Sequence, residues 1–379
     1  MDLEWIAEDT TKETLAHASL LEVNGKKTTS PQQLLTHRDQ ELLGDDARFK
    51  SNIALCPEFL EYATFQGAGQ DTHTTNALIK RMELRKQPGK INLVYARIPS
   101  GFLINGMRHP ISGINQFQAS GLVSAQIEAD ADLLIPPLPT GISSVDQFEM
   151  VLERTIVENQ TANKERDLVG YIPTTADIPL AREMVKSYLK KGVRFFGIDY
   201  SGSHLNRSLT RVVVSTLREM LKIKRKAGEN TDKQYYLHVF DVASCKKSSS
   251  SVTPVADVLT HAYGVDSTSG VIWGGGILVK ERLRMFNMSD YGAYQLGALD
   301  SYNLSAPKDV QAASAQTAYK MLRKLRLVDT KQEDQKIVEK IMDGRPSFGY
   351  GPYLAQKDKA DPLIKNIFKD VKEIQALAG

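Results

Sequence analysis

From Leu133 onward the chain alternates short apolar runs with amphipathic stretches of roughly twelve residues or more, and this rhythm limits the fold more than any other feature. Leu133 to Ile135, Leu168 to Ile172, Gly192 to Asp199 and Tyr235 to Val242 read as strands. Val145 to Asn159, Ile178 to Lys190 and Leu205 to Lys226 read as the helices between them. Short apolar strands joined through helices are the pattern of βα repeats, because parallel neighbours need a long crossover connection. The expectation is an α/β fold, a (β/α)8 TIM-like barrel over residues 1–300. A helical C-terminal extension over 301–379 packs on it, read as Lys308 to Leu327, Gln332 to Met342 and Asp361 to Leu377.

Upstream, Ile91 to Ile98 reads as a strand, and residues 15 to 35 as a β-hairpin in which Leu20 and Val23 lead to Asn24-Gly25, the strongest short turn signal. Pro31 then releases the chain into a helix or loop, and residues 36 to 90 give no clear strand. Pro136, Pro137 and Pro139 cannot continue a central ladder, so they belong to a βα loop beyond the strand at Leu133.

The stretch Thr253 to Gly276, TPVADVLTHAYGVDSTSGVIWGGG, reads as a short amphipathic helix that Gly264 breaks, then a strand end carrying Asp266, Ser267, Thr268 and Ser269, then a glycine run. Ligands of parallel α/β folds sit beyond the carboxyl ends of strands, so a site is expected here. Asp199, Asp241 and Asp266 each stand at a strand end and are expected to converge on one cavity. There a carboxylate serves as nucleophile, general base or acceptor for a purine edge. An aspartate in such a place also caps the following helix. His238 and Asp241 are an odd number of residues apart, so they face opposite sides of their strand unless a bulge intervenes. Arg282, just past the glycine run, stands where it could hold phosphate or simply face solvent.

Composition narrows the function classes. At 41% hydrophobic and 25% charged, the 379 residues are those of a globular domain with a large core. A net charge of +3 permits a nucleic-acid partner without requiring one. With only Cys56 and Cys245, neither a disulfide framework nor a cysteine-rich zinc site can be built, which points to a reducing, cytoplasmic setting. The acidic start lacks an apolar leader, and no run approaches 18 apolar residues, so no membrane partner is expected. There is no Walker loop, dinucleotide fingerprint, Gly-x-Ser-x-Gly elbow or zincin helix, and no cofactor is expected.

Taken together, LLEVNGKKTTSP, SAQIEADADLLIP, LVGYIPTTADIPLAREMVKSYLKKGVRFFGIDYSG and TPVADVLTHAYGVDSTSG resemble the tRNA-guanine transglycosylase superfamily over roughly residues 15 to 300, by order and spacing more than by identity. The resemblance implies an α/β barrel that exchanges guanine for a 7-deazaguanine in tRNA or DNA through an aspartate nucleophile. It further implies a pentosyl transferase with a rearranged site or, alternatively, a non-catalytic partner subunit, in a homodimer or in a heterodimer with a catalytic homologue. Asp266 falls on the earlier acid of the family's Gly-Val-Asp-x-Phe-Asp motif and Ser269 on its nucleophile. The Asp-Ser-Gly-Gly-Phe motif has become SGINQFQASG, with Asn115 and no acid, and the base-binding Asp-Glu is Pro136-Pro137. The expected chemistry therefore rests on Asp199, Asp241 and Asp266. The base pocket is expected from Tyr200, Ser201, Gly202, His238, Ser267, Ser269, Gly274, Gly275 and Arg282. On this reading Asp266→Asn abolishes exchange and leaves the thermal midpoint nearly unchanged.

Overall fold

A computed structural model describes residues 1–44, 52–104, 106–228, 235–246, 248–271 and 278–378. Eight strands form one parallel sheet: β1 (Gln32–Thr36), β2 (Ile53–Phe59), β3 (Ile91–Arg97), β4 (Leu133–Leu134), β5 (Asp167–Pro173), β6 (Phe195–Asp199), β7 (Tyr236–Val242) and β8 (Ser267–Gly270). They neighbour one another in sequence order, and β8 pairs back onto β1, Ser267 opposite Gln32. The one junction without a ladder, β3 to β4, is stitched by Asp132 N–H on the Asn92 carbonyl at 3.0 Å and by Asn92 N–H on Asp132 Oδ2 at 2.7 Å. The sheet is thus a closed α/β barrel. Every residue of β3 and of β7 is buried, as expected of strands covered on both faces.

The barrel interior is a packed core. Tyr95 of β3, Tyr171 of β5 and Phe240 of β7 come from alternate strands and meet with ring centroids 5.7 and 5.9 Å from Phe240. Gly197 of β6 leaves the space that Phe240 fills; a Cβ there would overlap its ring.

A three-stranded antiparallel sheet (Asp2–Glu8, His17–Val23, Lys26–Ser30) packs under the amino ends of the barrel strands. Its second turn is Asn24-Gly25, both at positive φ (52° and 74°), as the hairpin signal requires. Outside, Val145–Thr161, Ile178–Lys190 and Arg207–Lys226 fall within a few residues of the helices read from sequence.

Several elements differ from the sequence reading. Gln32–Thr36 is a strand where Pro31 was expected to release the chain into a helix or loop, and Ile53–Phe59 is a strand inside the stretch that gave no strand signal. The first owes its place to β8 and β2 on either side rather than to its glutamines. The amphipathic helix after Pro254 is a short 3-10 helix, Val258–Tyr263, rather than an α-helix. The segments Lys308 to Leu327 and Gln332 to Met342 form one short helix, Lys308–Ala312, and one long one, Ala315–Met342. That long helix lies against β1, where Asp334 accepts the Gln33 N–H at 2.6 Å. The last helix, Asp361–Ala378, docks on Arg207–Lys226 through the Arg207 fork on Asp370, 2.9 Å at each oxygen. It also meets the 3-10 helix through Tyr263 and Asp370, covering the flank where a helix after β7 would lie.

Candidate active site at the barrel mouth

Arg97 ends β3 and Asp199 ends β6, so parallel strands carry both to the carboxyl-end face. Asp241 reaches the same place through a backbone irregularity. The β7–β8 register slips between Val239 and Val242, and Asp241 has φ 53°. The bulge that the odd spacing requires is therefore present. It turns the Asp241 carboxylate inward although His238 and Phe240 also face the interior. Ser269 Oγ accepts the Asp241 N–H at 3.1 Å and braces the bulge.

Arg97 binds both acids: Nη1 donates to Asp241 Oδ2 at 2.6 Å, and Nη2 to the two oxygens of Asp199 at 2.8 and 3.0 Å. Tyr171 donates its hydroxyl to Asp199, and Ser201 its N–H to Asp199 Oδ1 at 2.7 Å. Ser201 Oγ accepts from Arg97 Nη2 at 3.1 Å. Arg97, Asp199 and Asp241 are 7%, 1% and 3% exposed, and one guanidinium against two carboxylates leaves one formal negative charge in excess. Burial disfavours the Arg97 charge, but Asp199, Tyr171, Tyr95 and Asp241 outweigh it and raise its pKa above the usual value. Burial first, and the Asp199 charge next, push the Tyr171 phenol well above its usual range, so it stays a donor. Such a cluster offers hydrogen-bond acceptors in a low-dielectric setting, suited to a cationic or N–H-rich ligand edge.

A cleft of about 460 Å³ opens beside the cluster. Ser201, Gly202 and Gly270 line its inner end, and Arg282, Phe286 and Arg326 its outer wall.

Asp266 is the main correction. It precedes β8 and lies at the opposite end of the barrel, fully buried in the floor. Its Oδ1 accepts from His17 Nε2 at 3.0 Å, Ser19 Oγ at 2.6 Å and Ser30 Oγ at 2.8 Å, and its Oδ2 from Leu237 N–H at 2.7 Å. The three carboxylates therefore do not meet. Two share the mouth, and the third ties the N-terminal sheet to the floor. Apolar Val265 and Val271 bracket the polar run on both sides and give the strand no direction, which is why its amino end passes for its carboxyl end.

The remaining candidates divide in the same way. Ser201, Gly202 and Arg282 line the cleft. Ser269 touches the cluster only through the Asp241 backbone. Tyr200 is buried with its hydroxyl on Thr210, away from the mouth. His238 sits within the core with Nδ1 2.9 Å from Ser267 Oγ, and burial pushes its pKa down to about 3, so it is neutral. Gly274 and Gly275 lie outside the described residues. Sequence reasoning missed Arg97 and Tyr171. The signal for Arg97 was present in INLVYARI, where it is the one charged residue in a largely apolar run. Among the described residues no group of three or more His, Cys, Asp or Glu is placed to hold a metal, and no helix is long and apolar enough to cross a membrane.

Fold and site define a closed α/β barrel with a buried arginine–carboxylate cluster at its carboxyl-end mouth. No family model matches the chain, and no curated protein does. Among solved structures it is similar to the carboxyl transferase domain of Rhizobium etli pyruvate carboxylase with pyruvate. That likeness has 11% identity and a TM-score of 0.36, covering 88% of this chain and 51% of that one.

Proposed function

We propose that the protein acts on a guanine-type base in nucleic acid, as a divergent barrel of the tRNA-guanine transglycosylase type, with Asp199 and Asp241 as its working carboxylates. The observation that carries the reading is their meeting on Arg97 at the mouth, beside a cleft of about 460 Å³. Guanine and 7-deazaguanines present a row of N–H donors on the Watson–Crick edge, which a carboxylate accepts. Base exchange needs an ionised carboxylate at C1′ as the glycosidic bond breaks, and then the incoming base in place of the carboxylate. Arg97 sets its positive charge against both carboxylates and fixes their geometry; Tyr171 and the Ser201 N–H hold Asp199 against rotation.

The test is incorporation of labelled guanine and 7-deazaguanine into tRNA and into DNA. Wild type should incorporate label into one polymer, and Asp199→Asn and Asp241→Asn should each lose at least a hundredfold, an effect on the order of that for a positioned acid or base. A second reading has its own support. Ser269, at the family's nucleophile position, is buried and engaged on the Asp241 N–H, which suits a partner subunit that has lost the reaction. On that reading the chain alone is inactive with every substrate and raises the rate of an added catalytic homologue.

A further inference from the structure

The cleft has two ends of opposite character. At the inner end Ser201 connects it to Arg97, Asp199 and Asp241, whose formal sum is negative. At the outer end, four arginines (Arg282, Arg284, Arg323, Arg326) face two aspartates (Asp39, Asp257) among the described lining residues, which leaves two positive charges in excess. The aspartates are committed. Asp39 takes the Arg323 Nε at 2.7 Å and caps its own helix, and Asp257 takes Arg326 and the Val258 N–H. Arg284 is likewise spent, on the carbonyls of Ser248, Ser250 and Ala293.

Two arginines are not used up. Arg282 is exposed and pairs with no described carboxylate. Arg326 stacks on the Phe286 ring at 3.7 Å, and its Nε and Nη1 are shielded from solvent without an acceptor. A guanidinium left with unmet donors is costly, and folded proteins keep few of them without a ligand, ion or water to account for them. The inner end is bare backbone at Gly202 and Gly270, where a Cβ would meet nothing nearer than 3.7 Å, so open space lies beside Ser201.

We propose that the outer end is a phosphate subsite, and that the cleft as a whole takes a nucleotide unit with its base toward Asp199 and Asp241 and its phosphate on Arg282. The subsite rests on the functional reading for the base but not for the phosphate, and the two are separable by experiment. The phosphate is that of a free nucleotide or of a polynucleotide backbone; both present the same oxygens.

Titration calorimetry with the full chain decides the matter, using guanine, guanosine, guanosine monophosphate, ribose 5-phosphate and a guanine-containing single-stranded trinucleotide. Guanosine monophosphate should bind about tenfold or more tighter than guanosine, the increment of one charge-assisted contact. Arg282→Glu should erase that increment, leave guanosine unchanged and lower the slope of log K against log salt by about one. Arg282 is exposed and pairs with no carboxylate among the described residues, so the variant should fold, and its melting point checks this. Lys186→Ala, on an outer helix, should change nothing. If the monophosphate exceeds the trinucleotide, the ligand is a free nucleotide; the reverse order assigns a polynucleotide backbone. Equal binding of guanosine and its monophosphate, or an increment that survives Arg282→Glu, overturns the subsite while leaving the base pocket intact. Ribose 5-phosphate binding as tightly as the monophosphate keeps the subsite and removes the base from the reading.

Discussion

Asp266→Asn separates the floor from the mouth. The carboxylate accepts four donors with no solvent contact, one of them His17. An amide keeps one acceptor oxygen and turns an NH2 toward groups that are themselves donors, so at least one buried donor is stranded and the ion pair is lost. Breaking a buried pair costs about 3–5 kcal/mol. At about 2.1 cal/mol/K of unfolding entropy per residue, 379 residues give about 0.8 kcal/mol/K, so the midpoint should fall by about 4–6 °C. Differential scanning calorimetry at pH 7 reads this directly. Any exchange or ligand-binding activity measured well below the lowered midpoint should persist. A midpoint within 1 °C of wild type together with lost activity would refute the floor assignment and return Asp266 to the chemistry, the outcome the sequence alone leads one to expect.

Other outcomes follow from the same structure. Arg97→Met removes the guanidinium that both buried carboxylates share, so it should destabilise by about 3–5 kcal/mol; urea melts against wild type check it. Burial opposes the charge on His17, but Asp266 outweighs it and raises the pKa above the usual 6.5. Its stabilising contribution is therefore complete below 6.5 and lost as pH rises through the raised value, and His17→Gln should flatten the midpoint-against-pH curve in that window. His238, held near 3, should show a neutral imidazole in nitrogen NMR down to pH 5. Because its folded pKa is depressed, it should erode stability as pH falls from 6.5 toward 3, a slope that a His238→Asn variant lacks. Ser269→Ala should loosen the bulge and weaken ligand binding at the mouth severalfold, with Ser269→Thr restoring part of it, because the hydroxyl rather than the size of the side chain holds the Asp241 N–H.

The barrel was legible from the chain because β3, β5, β6 and β7 are rich in apolar and aromatic residues and the helices after β5 and β6 carry clean stripes. The pattern fails at QQLLT and STSG, which become strands only because neighbours on both sides complete their ladders. Asp199 was legible as the acid ending GVRFFGID. Asp241 was legible only conditionally, since its facing depends on a bulge that alternation does not encode. Asp266 was misread because strand polarity in a short Ser/Thr run has no sequence signature. Its true partners, His17, Ser19 and Ser30, lie more than 230 positions away along the chain. Arg97 and Tyr171 escaped notice because each sits in a mostly apolar run; Tyr171 reaches Asp199 from the neighbouring strand, and Arg97 only because the sheet curls β3 round to face β6.

Guanine binding by calorimetry to wild type and to Asp199→Asn, Asp241→Asn and Asp266→Asn at 15 °C tests the central claim most directly. The account predicts that the two mouth variants lose binding at least tenfold while Asp266→Asn retains wild-type affinity in spite of its lower melting point. Retained affinity in both mouth variants, or loss in Asp266→Asn alone, would contradict it.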